Sequence, residues 1–311
     1  MRFAVVGVGG IGGYFAGRLA QAGLDVTFIA RGRNLTALRH DGLQVISPRG
    51  DITLPQVQAA AGGTQAPPAD VVLMCVKTWQ LPDAVALLPG LLRPGGCVLT
   101  LQNGVEAPGE VAAAVGRDAV LPGIARIFAH LEAPGRVRHV GGPASLTFAE
   151  WDNSPSDRVS ALRETLTAAG VAAIQAPDVW ADLWAKFLSV VPIGALGTAT
   201  NAPIGTLRAR PGTRRLLESA MGEIRDVAVR MGIALPGDAV EQAMAFADQQ
   251  PPEARSSLQR DLLAGRPSEL EAWSGAAVRL GEKAGVPTPV NGVLYEVLAA
   301  LVPPESDSLS G

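Results

Sequence analysis

Three glycines, Gly7, Gly9 and Gly12, follow directly on the apolar run Phe3-Ala4-Val5-Val6, and the spacing G-V-G-G-I-G leads into an amphipathic stretch from Tyr14 to Gln21. A buried strand, a glycine turn and then a helix is the context in which this short motif handles phosphate. Gly7 permits the tight turn, Gly9 lets backbone approach a pyrophosphate, and Gly12 lets helix pack close to strand. The free N–H groups at the helix start, around Gly10 and Ile11, then face the anion. A glycine-rich turn without a ligand is the plain alternative, and the position behind an N-terminal strand argues against it.

A second candidate for chemistry is Lys186, the only charge between Asp182 and Arg208. Trp180, Leu183, Trp184 and Phe187 surround it at helical spacings. A buried ammonium without an acid has a lowered pKa, which suits it to donate a proton to a carbonyl oxygen near neutral pH. The alternative is a lysine that snorkels to water. Pro192 is expected to kink this helix about one turn later.

Lys77 ends the run Val71–Val76, and Asn103 ends the next one in Leu101-Gln102-Asn103-Gly104. The carboxyl ends of strands are where open α/β sheets bind ligands. Two such residues at neighbouring strand ends say more than either alone, since a strand-end lysine or an Asn-Gly turn is ordinary by itself. Glu269 follows Gly265-Arg266-Pro267-Ser268. Ser268 with Glu271 reads as a capping box, which leaves Glu269 for a role in a site. Ser256 and Ser257 are candidates for a substrate contact or for an N-terminal helical turn.

The second strand ends Phe28-Ile29-Ala30-Arg31-Gly32-Arg33. Folds that bind NAD place an acid here for the ribose 2′-hydroxyl; this chain places two arginines. Paired N–H donors and charge suit a 2′-phosphate. The expected cofactor is therefore NADPH/NADP+, with Arg31 the first contact and Arg33 the second.

These residues need elements to hold them. Short continuous apolar runs at Phe3–Val6, Val26–Ala30, Val71–Val76, Val98–Leu101 and Val120–Ile124 read as strands covered on both faces. Helical patterns at Ile11–Ala22, Leu35–Arg39, Leu81–Leu88 and Val105–Val115 alternate with them, which predicts a doubly wound parallel sheet. Gln44–Ile46 and Ile52–Leu54 read as a hairpin insertion, and 59–69 as an ordinary loop. Strands at Val137–Val140 and Leu146–Ala149, a helix at Asp157–Ala169 and a strand at Val171–Ile174 complete this part. After Ala176-Pro177 only helical patterns follow: Asp178–Leu196, Thr213–Met231, Asp238–Phe246, Pro252–Leu263, Ser268–Lys283 and Asn291–Leu301. Gly232 and Gly285 sit where helices end. The expected domains are 1–176, an α/β Rossmann domain, and 177–311, all-helical, with a tail that frays from Pro303.

The net charge of −3 without a basic run argues against nucleic acid or an anionic membrane as main partner. Cys75 and Cys97 lie in apolar strands without metal or C-x-x-C spacing, so they read as reduced core residues of a cytoplasmic protein. His40, His130 and His139 are scattered, and no metal site is expected. Leu183 to Thr200 is apolar but interrupted by Lys186 and Pro192, a buried helix rather than a membrane span.

In order along the chain, G7-V-G-G-I-G12, I29-A-R-G32, V76-K-T-W-Q80, L101-Q-N-G-V105, W184-A-K186 and S256-S-L-Q-R-D-L-L-A-G-R-P-S-E-L-E271 resemble the ketopantoate reductase family, over nearly the whole length. The resemblance implies a Rossmann domain followed by a helical domain like that of 6-phosphogluconate dehydrogenases. It implies NADPH bound between them and reduction of a 2-keto acid, ketopantoate first, in pantothenate biosynthesis. The glycine loop and Arg31 would bind cofactor, and Lys77 and Asn103 would line the nicotinamide side. Asn103 and Lys186 would meet the substrate, with Lys186 the general acid. Glu269 would contact cofactor or support the lysine, and Ser256 or Ser257 would reach the substrate carboxylate.

The chain departs from the family's pattern where pantoate-forming members carry asparagines: Val190 and Gly194 stand four and eight residues after the lysine, and Ile204 stands at a third position, with Asn201 three residues earlier. That leaves open a paralogue acting on a more apolar 2-keto acid, and, from another class, an NADPH-binding sensor without catalysis. A homodimer through the helical domain is also left open.

Overall fold

Strand β1 (Arg2–Val6) alternates its side chains between two hydrophobic clusters. Phe3 and Val5 join Phe15, Leu19 and Phe28 on one face; Ala4 and Val6 join Leu81, Leu88 and Val111 on the other. All four are at most 2% exposed, which is why the run is continuously apolar rather than alternating. Each large side chain so buried contributes about 2 kcal/mol from leaving water.

The computed structural model describes residues 1–302, so the tail expected to fray from Pro303 lies outside the described residues. The chain divides into two compact units, one of Met1–Gln102 with Ala107–Val179, the other of Asn103–Glu106 with the residues from Trp180 onward.

In the first unit β1 is followed by α1 (Gly10–Gln21), β2 (Asp25–Ile29), α2 (Gly32–His40), β3 (Leu43–Ile46), β4 (Ile52–Leu54), β5 (Gln58–Ala60) and β6 (Ala69–Met74). Then come α3 (Leu81–Val85), α4 (Leu88–Leu91), β7 (Leu92–Thr100), α5 (Ala107–Val115), β8 (Val120–Ala133), β9 (Arg136–Phe148), α6 (Asp157–Ala168) and β10 (Ala172–Gln175). The strands run parallel in the order β5-β2-β1-β6-β7-β8. That is the doubly wound order with a switch point at β1. Beyond β8 the sheet becomes mixed: β9 pairs antiparallel with β8, β3 parallel with β9, and β4 antiparallel with β3, while β10 adds to β9.

Three elements differ from the sequence reading. The segment 59–69 is not a plain loop, because β5 pairs with β2 as the outer strand of the parallel set; three residues with two alanines give no periodic signal. The two strands expected at 137–140 and 146–149 are one, since Gly141 and Gly142 make an irregular step in the ladder rather than an end. Leu81–Leu88 is two short helices, α3 and α4, each with a proline in its first turn.

The second unit carries α7 (Val179–Thr200), α8 (Ile204–Ala209), α9 (Pro211–Arg230), α10 (Ala239–Gln249), α11 (Ser257–Leu263), α12 (Ala276–Ala284) and α13 (Pro289–Ala299). Helix α8 was not legible as a pattern, and α11 begins five residues later than Pro252. The stretch Glu271–Gly275 is a π-helical turn leading into α12, where the sequence suggests a uniform helix from Ser268. Gly285 closes α12 in the left-handed conformation at φ +67°. Glu223 of α9 caps α13, accepting from the Val290 and Asn291 N–H groups at 2.8 and 3.0 Å. By length and composition α7 alone among the described helices would suit a membrane span, yet 61% of its apolar window is buried inside the protein.

Candidate functional site

The glycine loop is built by crowding at three glycines and openness at a fourth. Gly7 stands at φ +93°, and a Cβ there would lie 2.7 Å from the Val76 nitrogen. A Cβ on Gly12 would lie 2.1 Å from the Gly7 carbonyl oxygen, so α1 can pack this close only without a side chain. Gly10 is crowded by the Ala129 carbonyl of β8, 2.4 Å from its Cβ position. Nothing lies within 4 Å of the Cβ position of Gly9, the N-cap of α1, and no side chain caps the helix there. The first N–H groups of α1, including that of Ile11, therefore have the makings of an anion site. Asn34 steadies the loop from α2: its amide donates to the Val8 carbonyl at 2.8 Å and accepts from the Gly135 N–H at 2.8 Å.

Arg31 is the N-cap of α2, two residues past the end of β2 with Ala30 between. Its guanidinium donates to the Asp83 carboxylate of α3 at 3.0 Å, and both groups are exposed. Arg33 is exposed in the first turn of α2. Lys77, half-buried, stands at the carboxyl end of β6, where its N–H donates to Gln80 Oε1 at 3.4 Å. The buried Gln102 side chain fixes the ends of β6 and β7, donating to the Met74 and Val76 carbonyls at 2.9 and 3.2 Å. So the glycine loop, Arg31 and Lys77 follow the carboxyl ends of three adjacent parallel strands, β1, β2 and β6.

In the helical unit Lys186 Nζ donates to Asn103 Oδ1 at 2.8 Å. The pairing joins two residues 83 positions apart and gives the half-buried ammonium a fixed direction. On the same helix the buried rings of Trp184 and Phe187 meet edge to face at 5.6 Å. The loop bearing Asn103 is fastened at both sides: Gly104, at φ +108°, lies under the Ala272 carbonyl, 3.0 Å from its Cβ position, and Glu106 pairs with Arg279 at 2.9 Å. Helix α7 runs unbroken through Pro192.

Glu269 is buried, 4% exposed, at the approach to the π-helical turn, and its carbonyl accepts from the Trp273 N–H. The expected capping box does not form around Glu271, whose carboxylate instead accepts from Tyr295 Oη at 2.8 Å and from Arg279. That contact raises the Tyr295 pKa, with burial adding to it. Ser256 is the N-cap of α11, its Oγ accepting from the Gln259 N–H at 3.0 Å, and Ser257 is the first helical residue. The hydroxyl of Ser256 also lies 3.4 Å from the Cβ position of Gly194.

Two residues that sequence reasoning passed over stand out. Asp83 meets Arg31 across 52 positions, which no local pattern signals. Trp273, 3% exposed, lies with its ring 2.9 Å from the Cβ position of Gly194, filling space that a side chain on α7 would need. Ile204 is buried in the core, and Asn201 serves a left-handed turn at φ +48° with its side chain accepting from Arg255. Burial raises the pKa of the Cys75 thiol and pushes that of Cys97 up to about 11, which disfavours the thiolate at both.

Comparison with known proteins decides the family. Residues 3–153 match the model described as Ketopantoate reductase PanE/ApbA, and residues 178–302 match its C-terminal counterpart. A 2-dehydropantoate 2-reductase from Nostoc sp. is 30% identical over 305 residues, covering 96% of this chain and 95% of the relative. The chain belongs to the ketopantoate reductase family. The crystal structure of a family ketopantoate reductase from Ralstonia eutropha superposes with a TM-score of 0.89 at 30% identity, covering 97% of this chain and 98% of that one. A 2-dehydropantoate 2-reductase from Geobacter metallireducens does so with 0.90 at 29%, covering 96% and 99%. This member of the ketopantoate reductase family is thus an oxidoreductase by descent, matched over nearly its whole length.

Proposed function

We propose that this protein reduces a 2-keto acid to the 2-hydroxy acid with NADPH, ketopantoate being the first candidate substrate. The observation that carries the proposal is the Lys186–Asn103 hydrogen bond of 2.8 Å, which gives the ammonium of α7 a fixed direction. The curated relatives named 2-dehydropantoate 2-reductase support the reaction class.

The residues fit the cofactor. Gly9 leaves open the space that a Cβ would fill, above uncapped N–H groups of α1, which suits a pyrophosphate. Arg31 offers paired donors to a 2′-phosphate, and Lys77 stands at the next strand end. Bound there, the reduced nicotinamide supplies a hydride for C2 of the keto acid. Lys186 would give a proton from Nζ to the C2 oxygen as negative charge builds on it, leaving an alcohol on the substrate, its carboxylate unchanged, and a neutral amine on the lysine. Asn103 Oδ1 holds that ammonium in direction, and the Glu106–Arg279 pair holds the loop that carries Asn103. Glu269 supports this arrangement or touches the cofactor, and Ser256 or Ser257 meets the substrate carboxylate.

A second reading keeps the chemistry and changes the acid. Val190 replaces an expected asparagine, and at Gly194 the ring of Trp273 takes the space. A site without those amides loses little with a substrate that lacks a hydroxyl. A panel of 2-keto acids, followed by loss of NADPH absorbance, tests both readings. Ketopantoate as the best acid with a low KM supports the first; a branched or aromatic acid as the best supports the second. No turnover with any 2-keto acid would overturn both.

A further inference from the structure

The Arg31–Asp83 ion pair has a geometry that a mere surface pair does not need. Arg31 caps α2 just past the carboxyl end of β2, the place from which doubly wound folds read the adenosine ribose. Where such folds carry an acid on β2 itself, this chain carries arginine, and an acid arrives from a different element: Asp83, in the first turn of α3, 3.0 Å from Arg31 Nη1. Both side chains are open to solvent, 60% and 71% exposed, so a ligand can reach either. One cation that recruits a 2′-phosphate is therefore held by one anion that repels it. The same carboxylate can accept a hydrogen bond from a free 2′-hydroxyl.

We infer that Asp83 is a second determinant of cofactor choice, a residue that opposes Arg31 and narrows the preference for NADPH over NADH. This rests on the reading of Arg31 given above. When a 2′-phosphate arrives, the guanidinium has to exchange Asp83 for it or share itself between two anions. With NADH the existing pair stays, and Asp83 adds a hydroxyl contact. Two arginines alone would make the protein strongly selective; the acid draws the two affinities together.

Titration of NADPH and NADH, by quenching of protein fluorescence at low salt, tests this on the full chain and its Asp83→Asn, Asp83→Glu, Arg31→Ala and doubly changed forms. Asp83→Asn should tighten NADPH about two- to fivefold and loosen NADH up to about twofold, in keeping with one exposed charge interaction. The NADPH gain should shrink as salt screens it. Asp83→Glu should keep the original ratio within about twofold, and in the Arg31→Ala background the NADPH gain should vanish. A purely structural latch would move both affinities together or neither, and either result overturns the inference. If Arg31→Ala leaves NADPH affinity unchanged, the reading of Arg31 falls as well; if Arg31→Ala weakens NADPH while Asp83→Asn does nothing, only the role of Asp83 falls.

Discussion

Gly9 and Gly194 are both glycines at positions tied to a ligand by resemblance, and they are opposites in space. Around the Cβ position of Gly9 nothing of the protein comes within 4 Å, whereas at Gly194 the six-membered ring of Trp273 stands at 2.9 Å. In the first region the missing side chain leaves room for something outside the chain. In the second the chain has used the room itself, with an indole that is 3% exposed. A glycine in a sequence therefore says that a side chain is excluded, but only the fold says for whose benefit.

The comparison extends to function, because the glycine loop should govern binding and the α7 face should govern chemistry. The largest expected effect lies on the α7 side. Lys186→Ala should lower kcat by about 10²- to 10⁴-fold, roughly 3–5 kcal/mol of barrier, while the NADPH dissociation constant stays nearly unchanged. Steady-state kinetics beside cofactor titration separate the two quantities. Near-normal turnover in this variant, with loss of turnover in Lys77→Ala, would move the proton donor to the β6 end and break the division.

Within the loop a pair of substitutions sharpens the same contrast. Gly12→Ala puts a methyl group 2.1 Å from the Gly7 oxygen, so it should cost about 1–3 kcal/mol in stability and lower Tm by several degrees. Gly9→Ala meets no protein atom, so its Tm should stay within about 1 °C while NADPH affinity falls about tenfold, roughly 1.4 kcal/mol. Thermal melts with and without cofactor read both; equal melting losses in the two variants would mean that Gly9 is structural.

The smallest effect belongs to Gly194. Gly194→Ala should cost about 1 kcal/mol by pressing on Trp273, and Trp273→Phe in the same chain should recover part of it. Denaturant melts of the two single variants and the double one give the coupling. Additive losses would show that the contact does not set the packing there.

The parallel sheet was legible because β1, β2, β6, β7 and β8 each announce themselves by a continuous apolar run buried on both faces. Strand β5 did not, since Gln58-Ala59-Ala60 is short and its identity comes from pairing with β2. Lys186 and Asn103 were each conspicuous, one as an isolated charge and the other as a strand end, but their meeting depends on chain segments 83 residues apart. The Arg31–Asp83 pair was invisible because its two members lie 52 positions apart, on α2 and α3. Trp273 reads as any apolar helical residue, and nothing in the local pattern marks the π-helical turn that presents it toward Gly194.

The grouping of Asn103–Glu106 with the C-terminal helices has a consequence for how the protein is made. On the ribosome Asn103 emerges 83 positions before Lys186, and Glu106 emerges 173 positions before Arg279. At about 5–20 residues per second, the loop spends roughly 10–35 s without the arginine that fastens it. The sheet around β1 can consolidate in that interval, since its own strands are already present, but the acid–base arrangement cannot. A nascent chain stalled before α12 holds the glycine loop but lacks the arginine that fastens the Asn103 loop, so if Lys186 is the proton donor proposed above, the last helices translated are the ones that complete its setting.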